Sequence, residues 1–159
     1  EIIKFIKGKK PNKIKENKKV LNVSISPLSN AIIPKIREVD HFLNENIEWK
    51  NRLVESHPEY CFAVLNKNKP ILENKKTLPG IQKRVDILAQ FYSESYAVVQ
   101  HFQKTAPPAL SNKLDDVIDA LALAVIGALG LKNGFCTIPK TPMEDSQGIK
   151  MQIIAANMK

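Results

Sequence analysis

Apolar positions at Ile32, Ile36, Val39 and Leu43 recur at i, i+4, i+7 and i+11, with Lys35, Arg37, Glu38 and Asp40 on other faces. This is the pattern of an amphipathic helix. Pro34 is expected in its first turn, or else kinks it. Arg52-Leu53-Val54-Glu55 is short and apolar in its middle, as in a buried strand, and runs directly into Ser56-His57-Pro58-Glu59. A serine followed three residues later by glutamate is a capping box, and proline is tolerated in a first helical turn. The chain is therefore expected to pass from strand to helix at Ser56, the helix carrying Tyr60, Cys61, Phe62, Val64 and Leu65.

Residues 66–76 are polar and lysine-rich, hence a loop. Thr77 and Pro79 open another helix, striped by Ile81, Val85, Leu88 and Tyr92. Residues 93–104 suit a helix through Tyr96, Val99 and Phe102, or a strand around 97–99, and Pro107-Pro108 ends them. Ser111 or Asn112 is placed to cap the longest helix, which runs to about Leu131 and stops near Asn133-Gly134. That helix is apolar nearly all round, so burial is expected. Prolines 139 and 142 follow, then a final strand over 149–155. At the other end, Ile2, Ile3, Phe5 and Ile6 precede a basic loop. The mixture of strands and helices indicates an α/β domain.

At 159 residues the chain is long enough for one domain with its own core. The net charge of +8 invites a nucleic-acid reading. Eight lysines within residues 1–20, against Glu1 and Glu16, supply +6 of it and leave +2 for the remainder. Such a strip binds phosphate through counterion release or is simply a solvated loop. Cys61 and Cys136 form neither a zinc pattern nor a disulfide framework, which fits a reducing, cytoplasmic setting. The longest apolar run, Ala120 to Leu131, is shorter than the about 20 residues that cross a bilayer, so no membrane partner is expected. The first residue is Glu1 rather than methionine, and the expectation is a chain that begins partway through a longer polypeptide.

The chemistry concentrates in Leu114-Asp115-Asp116-Val117-Ile118-Asp119-Ala120-Leu121-Ala122. Asp116 and Asp119 lie on neighbouring tracks of one helix face, with Asp115 close by. Ionised carboxylates lose several kcal/mol (order of magnitude) when desolvated without partners. Either these acids sit in solvent on the first turn, favoured by the helix dipole, or they face a cleft and bind divalent metal. Asp115 suits the first reading, and Asp119, ringed by apolar residues, suits the second. Glu55 stands where α/β folds place active-site groups, at the C-terminal end of a strand. His57 in the following turn is placed to orient a water or a phosphate, or lies on the surface. His41 and His101 have no evident partners and are taken as structural.

Glu55-Ser56-His57-Pro58-Glu59, with Lys35-Ile36-Arg37-Glu38-Val39-Asp40 before it, resembles a bacterial and archaeal family of predicted RNase H-like nucleases that is catalogued as a domain of unknown function of the DUF429 type. The likeness continues through Lys75-Lys76, Gly80, Arg84, the Asp115–Ala122 stretch, and Asp145, Gly148 and Met151, covering about residues 25–155. Asp116-x-x-Asp119-Ala-Leu-Ala is also similar to the last catalytic helix of Holliday-junction resolvases. The resemblance implies an α/β, RNase H-like mixed sheet flanked by helices, with metal-binding acids on a first strand, a later strand and the final helix. On that pattern Glu55 matches the strand acid, Asp116 and Asp119 match the helix acids, and Asp115 is an additional metal ligand. No aspartate precedes Asp40. The expectation is thus a basic segment, 1–24, followed by the C-terminal part of a single domain, 25–159, lacking its first strands.

The function so implied is metal-dependent hydrolysis of phosphodiester bonds in DNA or RNA. Oxygen-rich ligands favour Mg2+ or Mn2+. Lys75, Lys76, Arg84 and His57 would meet the substrate. The alternative is a non-catalytic nucleic-acid-binding or scaffold protein that retains the fold and binds through its basic strip. Nucleotide phosphoryl transfer finds no Gly-rich phosphate loop here.

Overall fold

The computed structural model describes residue 22, residues 26–50 and residues 52–158. The apolar piece and basic strip expected over 1–24 lie outside the described residues, apart from Asn22. The described residues form five α-helices and a two-stranded antiparallel sheet, a mixed α/β arrangement. They divide into two compact units. One holds the described residues up to Leu53 together with Glu144–Met151, and the other holds Val54–Met143 and Gln152–Lys159.

In the first unit, helix α1 spans Pro27–Glu45. Ser26 caps it by accepting from Ser29 N at 3.0 Å, and Pro27 occupies the first turn, where its missing N–H leaves nothing unsatisfied. The helix starts earlier than the hydrophobic stripe suggests, so Pro34 lies inside it rather than in its first turn. Of the expected stripe, Leu43 is buried together with Ile33, whereas Ile32, Ile36 and Val39 are exposed. After a single 3-10 turn at Ile47–Trp49, the Trp49 ring meets Phe42 in a tilted contact (centroids 6.1 Å apart), and the Arg52 guanidinium lies over the Trp49 ring, 4.7 Å from its centroid. The unit also contains a turn in which Asp145 Oδ1 accepts from Gln147 N and Ile149 N at 2.8 and 2.9 Å. Gly148 there has φ +75°, a conformation that glycine adopts without a steric penalty.

In the second unit, helices α2 (Pro58–Leu65), α3 (Leu78–Ala89), α4 (Ser95–Thr105) and α5 (Leu114–Asn133) pack together. Their shared core comprises Cys61, Phe62, Val64 and Leu65 of α2, Val85, Ile87 and Leu88 of α3, and Val99 of α4. Ile118, Ala122, Val125 and Ile126 of α5 complete it with Ala155 and Ala156. The ambiguous segment 93–104 is thus helical, placing Val99 inward. Helix α5 ends at the expected place, Gly134 having φ +84° and donating its N–H to Gly130 O at 2.8 Å. Its burial is one-sided, however: Ala120, Ala124, Ala128 and Leu131 are exposed.

Strands β1 (Phe135–Glu144) and β2 (Lys150–Ala156) pair as a hairpin whose turn belongs to the first unit. Pro139 and Pro142, to which the sequence assigns no element, lie within β1. A strand with one neighbour has an open side on which a missing N–H breaks no ladder bond. Two local expectations are corrected. Residues 52–55 are not a strand: Glu55 O accepts one backbone bond, from Ile154 N at 2.9 Å, beside β2. Nor do Ser56 and Glu59 form a capping box, since α2 begins one residue later with His57 as its uncapped N-terminal residue. The Ser56 hydroxyl instead donates to Ile154 O at 2.7 Å.

Candidate functional site

The loop before α3 is built by short-range bonds. Asn74 Oδ1 accepts from Lys76 N at 2.9 Å, which is an Asx turn, and Asn74 O accepts from the N–H and the hydroxyl of Thr77 at 3.0 and 2.8 Å. Thr77 in turn caps α3, its Oγ1 accepting from Gly80 N at 3.3 Å. The loop and helix approach so closely that a Cβ on Gly80 would stand 1.9 Å from Asn74 O, so only glycine fits there.

Arg84, one turn further along α3, fastens the same loop from below. It is 3% exposed. Its Nη1 donates to Glu73 O at 3.0 Å and Gly80 O at 3.1 Å, while Nη2 donates to both carboxylate oxygens of Glu59 at 2.9 Å. The guanidinium lies over the Phe62 ring, 5.5 Å from its centroid. Burial of this kind leaves Arg84 to hold the loop, not to meet a phosphate from solvent, which is where the sequence reading put it. Glu59, read from sequence as a cap, is its partner.

Held this way, Lys75 reaches across to α5. Its Nζ donates to Asp119 Oδ2 at 2.7 Å and lies 3.6 Å from Asp115 Oδ2. Asp115 and Asp119 are one turn apart, on the same helix face. Their side chains are only 12% and 16% exposed, against 34% for Lys75. Asp119 Oδ1 is buried, with no hydrogen-bond partner among the described residues. The bond from Lys75 to Asp119, aided by the fields of Asp119, Asp115 and Glu59, raises the lysine above its ordinary range against the opposing effect of burial.

The remaining sequence candidates stand apart from this pair. Asp116 points to the exposed side of α5, 59% open, and pairs with Lys113 at 3.3 Å. Glu55, His57 and Lys76 are exposed. The expected set Glu55, Asp116 and Asp119 is not brought together: among the described residues no three His, Cys, Asp or Glu side chains group so as to hold a metal ion. What does come together is Asp115, Asp119 and Lys75, with Glu59 and Arg84 behind. Each half carries its own local signal, a lysine-rich loop and an acidic helix start; that Lys75 meets Asp119, 44 residues away, is not written in either.

The sign of the Lys75 shift fixes a pH dependence. A group whose pKa rises on folding stabilises the protein fully below its unfolded pKa, and that contribution is lost as pH rises through the folded value. Lys75→Met should therefore flatten the alkaline fall in stability. In thermal melts, the wild-type advantage should be constant up to about pH 10 and shrink above it.

Among the described residues, no helix is long and apolar enough to cross a membrane. Searches of curated proteins and of solved structures each find no match. A family model does match, over residues 5–144. The chain belongs to the family described as Protein of unknown function (DUF429).

Proposed function

We propose that this protein hydrolyses phosphodiester bonds in nucleic acid with the help of a divalent ion, Mg2+ or Mn2+, on an RNase H-like fold, and that Asp115 and Asp119 are two of the ion's ligands. The observation that carries the reading is the pair itself: two largely enclosed carboxylates on one helix face, sharing a single ammonium, with Asp119 Oδ1 shielded and unpartnered. An unpaired buried acceptor is a standing penalty unless a ligand relieves it. Hard carboxylate oxygens suit such an ion, and the pair would supply part of its ligand set. When bound, the ion supplies an activated water and neutralises charge on the phosphate.

The chain's own residues do the rest. Asp115 and Asp119 would hold the cation. Lys75 stands beside them as a point charge for a phosphate oxygen, and exposed Lys76 is positioned for the neighbouring backbone. Glu59 and Arg84 keep the loop that carries both lysines seated on α3. Glu55, His57 and Asp116, each exposed, are the further groups of the sequence resemblance that substrate would meet.

A second reading has one observation in its favour: Lys75 already occupies the space between the two carboxylates, and no three-donor group exists among the described residues. On this reading the fold binds nucleic acid without cutting it, through the basic residues 1–20. One experiment separates them. The full-length protein and a form lacking residues 1–20 are incubated with DNA and RNA in Mg2+, in Mn2+ and in EDTA. Metal-dependent cleavage that survives the deletion supports hydrolysis. Binding without cleavage that the deletion abolishes supports the second reading.

A further inference from the structure

We infer that Phe42, Trp49 and Arg52 form a docking surface for unpaired nucleic-acid bases, the rings meeting a base and the guanidinium its phosphate. This inference rests on the nucleic-acid partner that both readings above share, and adds which form of nucleic acid is bound. All three side chains belong to the first unit, and all three are exposed. Phe42, in the last turn of α1, is 41% exposed, and Trp49, at the end of the 3-10 turn, is 38% exposed. Ile47, two residues before the tryptophan, is 73% exposed. Single exposed apolar side chains are ordinary on a protein surface. Two aromatic rings in contact, one of them under a guanidinium, mark a place of interaction.

The backbone that carries them is already fixed. Asn46 Nδ2 donates to Phe42 O at 2.8 Å, Trp49 N to Asn46 O at 3.0 Å, and Arg52 N and Leu53 N to Trp49 O at 3.0 and 2.8 Å. The surface is thus preformed, and a ligand does not have to order it. Charge says what covers it. Residues 46–53 hold Lys50 and Arg52 against Glu48, and Lys50 Nζ is anchored on Gln147 O at 2.8 Å. Among the described residues no carboxylate or carbonyl oxygen bonds the Arg52 guanidinium, whose partner is the Trp49 ring. Such a contact is weak at an exposed site, so the guanidinium can yield the ring to a base and turn its N–H fork to the adjoining phosphate. Earlier in the chain, the eight lysines within residues 1–20 supply attraction to phosphate without regard to base sequence. Exposed rings and a free guanidinium on a basic chain suit a single strand, whose bases have open faces. In a duplex those faces are taken up by the neighbouring pairs.

Trp49 is the single tryptophan of the chain, so tryptophan emission reports this surface alone. The full-length protein is titrated in EDTA with oligo(dT), oligo(rU) and a DNA duplex of equal length, while the anisotropy of labelled copies reports binding independently. A single strand should quench Trp49 as it binds, oligo(dT) or oligo(rU) according to whether DNA or RNA is the partner. The duplex should leave the emission unchanged. Trp49→Ala should weaken binding of the quenching strand by about 5- to 150-fold, the worth of one stacked base. Arg52→Gln, a change at an exposed position that leaves the fold in place, should weaken binding and lower the salt slope of log affinity by about 0.7, one phosphate contact on a single strand. Binding that leaves both the Trp49 emission and the Arg52→Gln slope unchanged overturns the inference while the nucleic-acid reading stands. Quenching by the duplex as strong as by a single strand overturns it too. So does emission that responds to protein concentration and not to nucleic acid, which would make the surface a contact between copies of the chain. No anisotropy change with any of the three nucleic acids removes both the inference and the reading beneath it.

Discussion

Asp119→Asn is expected to lower metal-dependent cleavage by the full-length protein by at least about 100-fold, since losing even an outer partner of a metal ligand typically removes 10- to 100-fold. The change keeps the side chain's shape and removes one charge, so the core of the second unit, to which Asp119 contributes no buried apolar surface, should remain intact. Circular dichroism and the melting temperature provide that check. Asp115→Asn should behave similarly, and should cost more activity than Asp116→Asn, because Asp115 shares Lys75 with Asp119 while Asp116 faces solvent beside Lys113. Undiminished cleavage by Asp119→Asn would sink the assignment of the pair.

The largest effect on stability is expected from Phe62→Ala, at ~3–5 kcal/mol. Phe62 is fully enclosed in the cluster that joins α2, α3, α4 and α5. Its removal forfeits the transfer of a whole ring from water and leaves a cavity that four helices cannot all close at once. It also takes away the surface under the Arg84 guanidinium. The denaturant midpoint should fall with the slope of the unfolding transition unchanged. A loss below about 1 kcal/mol would mean that the neighbours collapse into the space, and that Phe62 is not the centre of this core.

What the sequence made legible follows the range of the interaction. The start of α3 is set by Thr77 and Pro79, and the end of α5 by Gly134. These signals act within one turn, and both ends fall where the residues say. Ser56 and Glu59 carry an equally local signal that is overridden, because the hydroxyl finds Ile154 O and the carboxylate finds Arg84. Both partners are far away in the chain, so no local pattern names them. Strand β1 was hidden by its own prolines, which a strand open on one side accepts.

The site was legible to the same degree. The Asp115–Asp119 stretch stood out because three acids opening an apolar helix demand an explanation. Which of them face inward was not decidable from periodicity: Asp115 and Asp116 lie about 40° and about 60° from Asp119 on the helical wheel. Lys75 decides it by lying along one flank of α5. Arg84 was misplaced for the complementary reason. A guanidinium on an amphipathic helix normally faces water, and only the carbonyls of Glu73 and Gly80 with the carboxylate of Glu59 make its enclosure affordable.

The close seating of the 73–77 loop on Gly80 has a thermodynamic corollary for recognition. Ordering a five-residue segment when a partner arrives would consume about 1–2 kcal/mol of backbone entropy for each residue. Here Asn74, Thr77 and Arg84 have already fixed that backbone, and the absent Cβ at position 80 is what lets them do so. Only the rotors of the Lys75 side chain are left to freeze, a loss of about 2 kcal/mol at most. Any side chain larger than hydrogen at position 80 would hand that saving back.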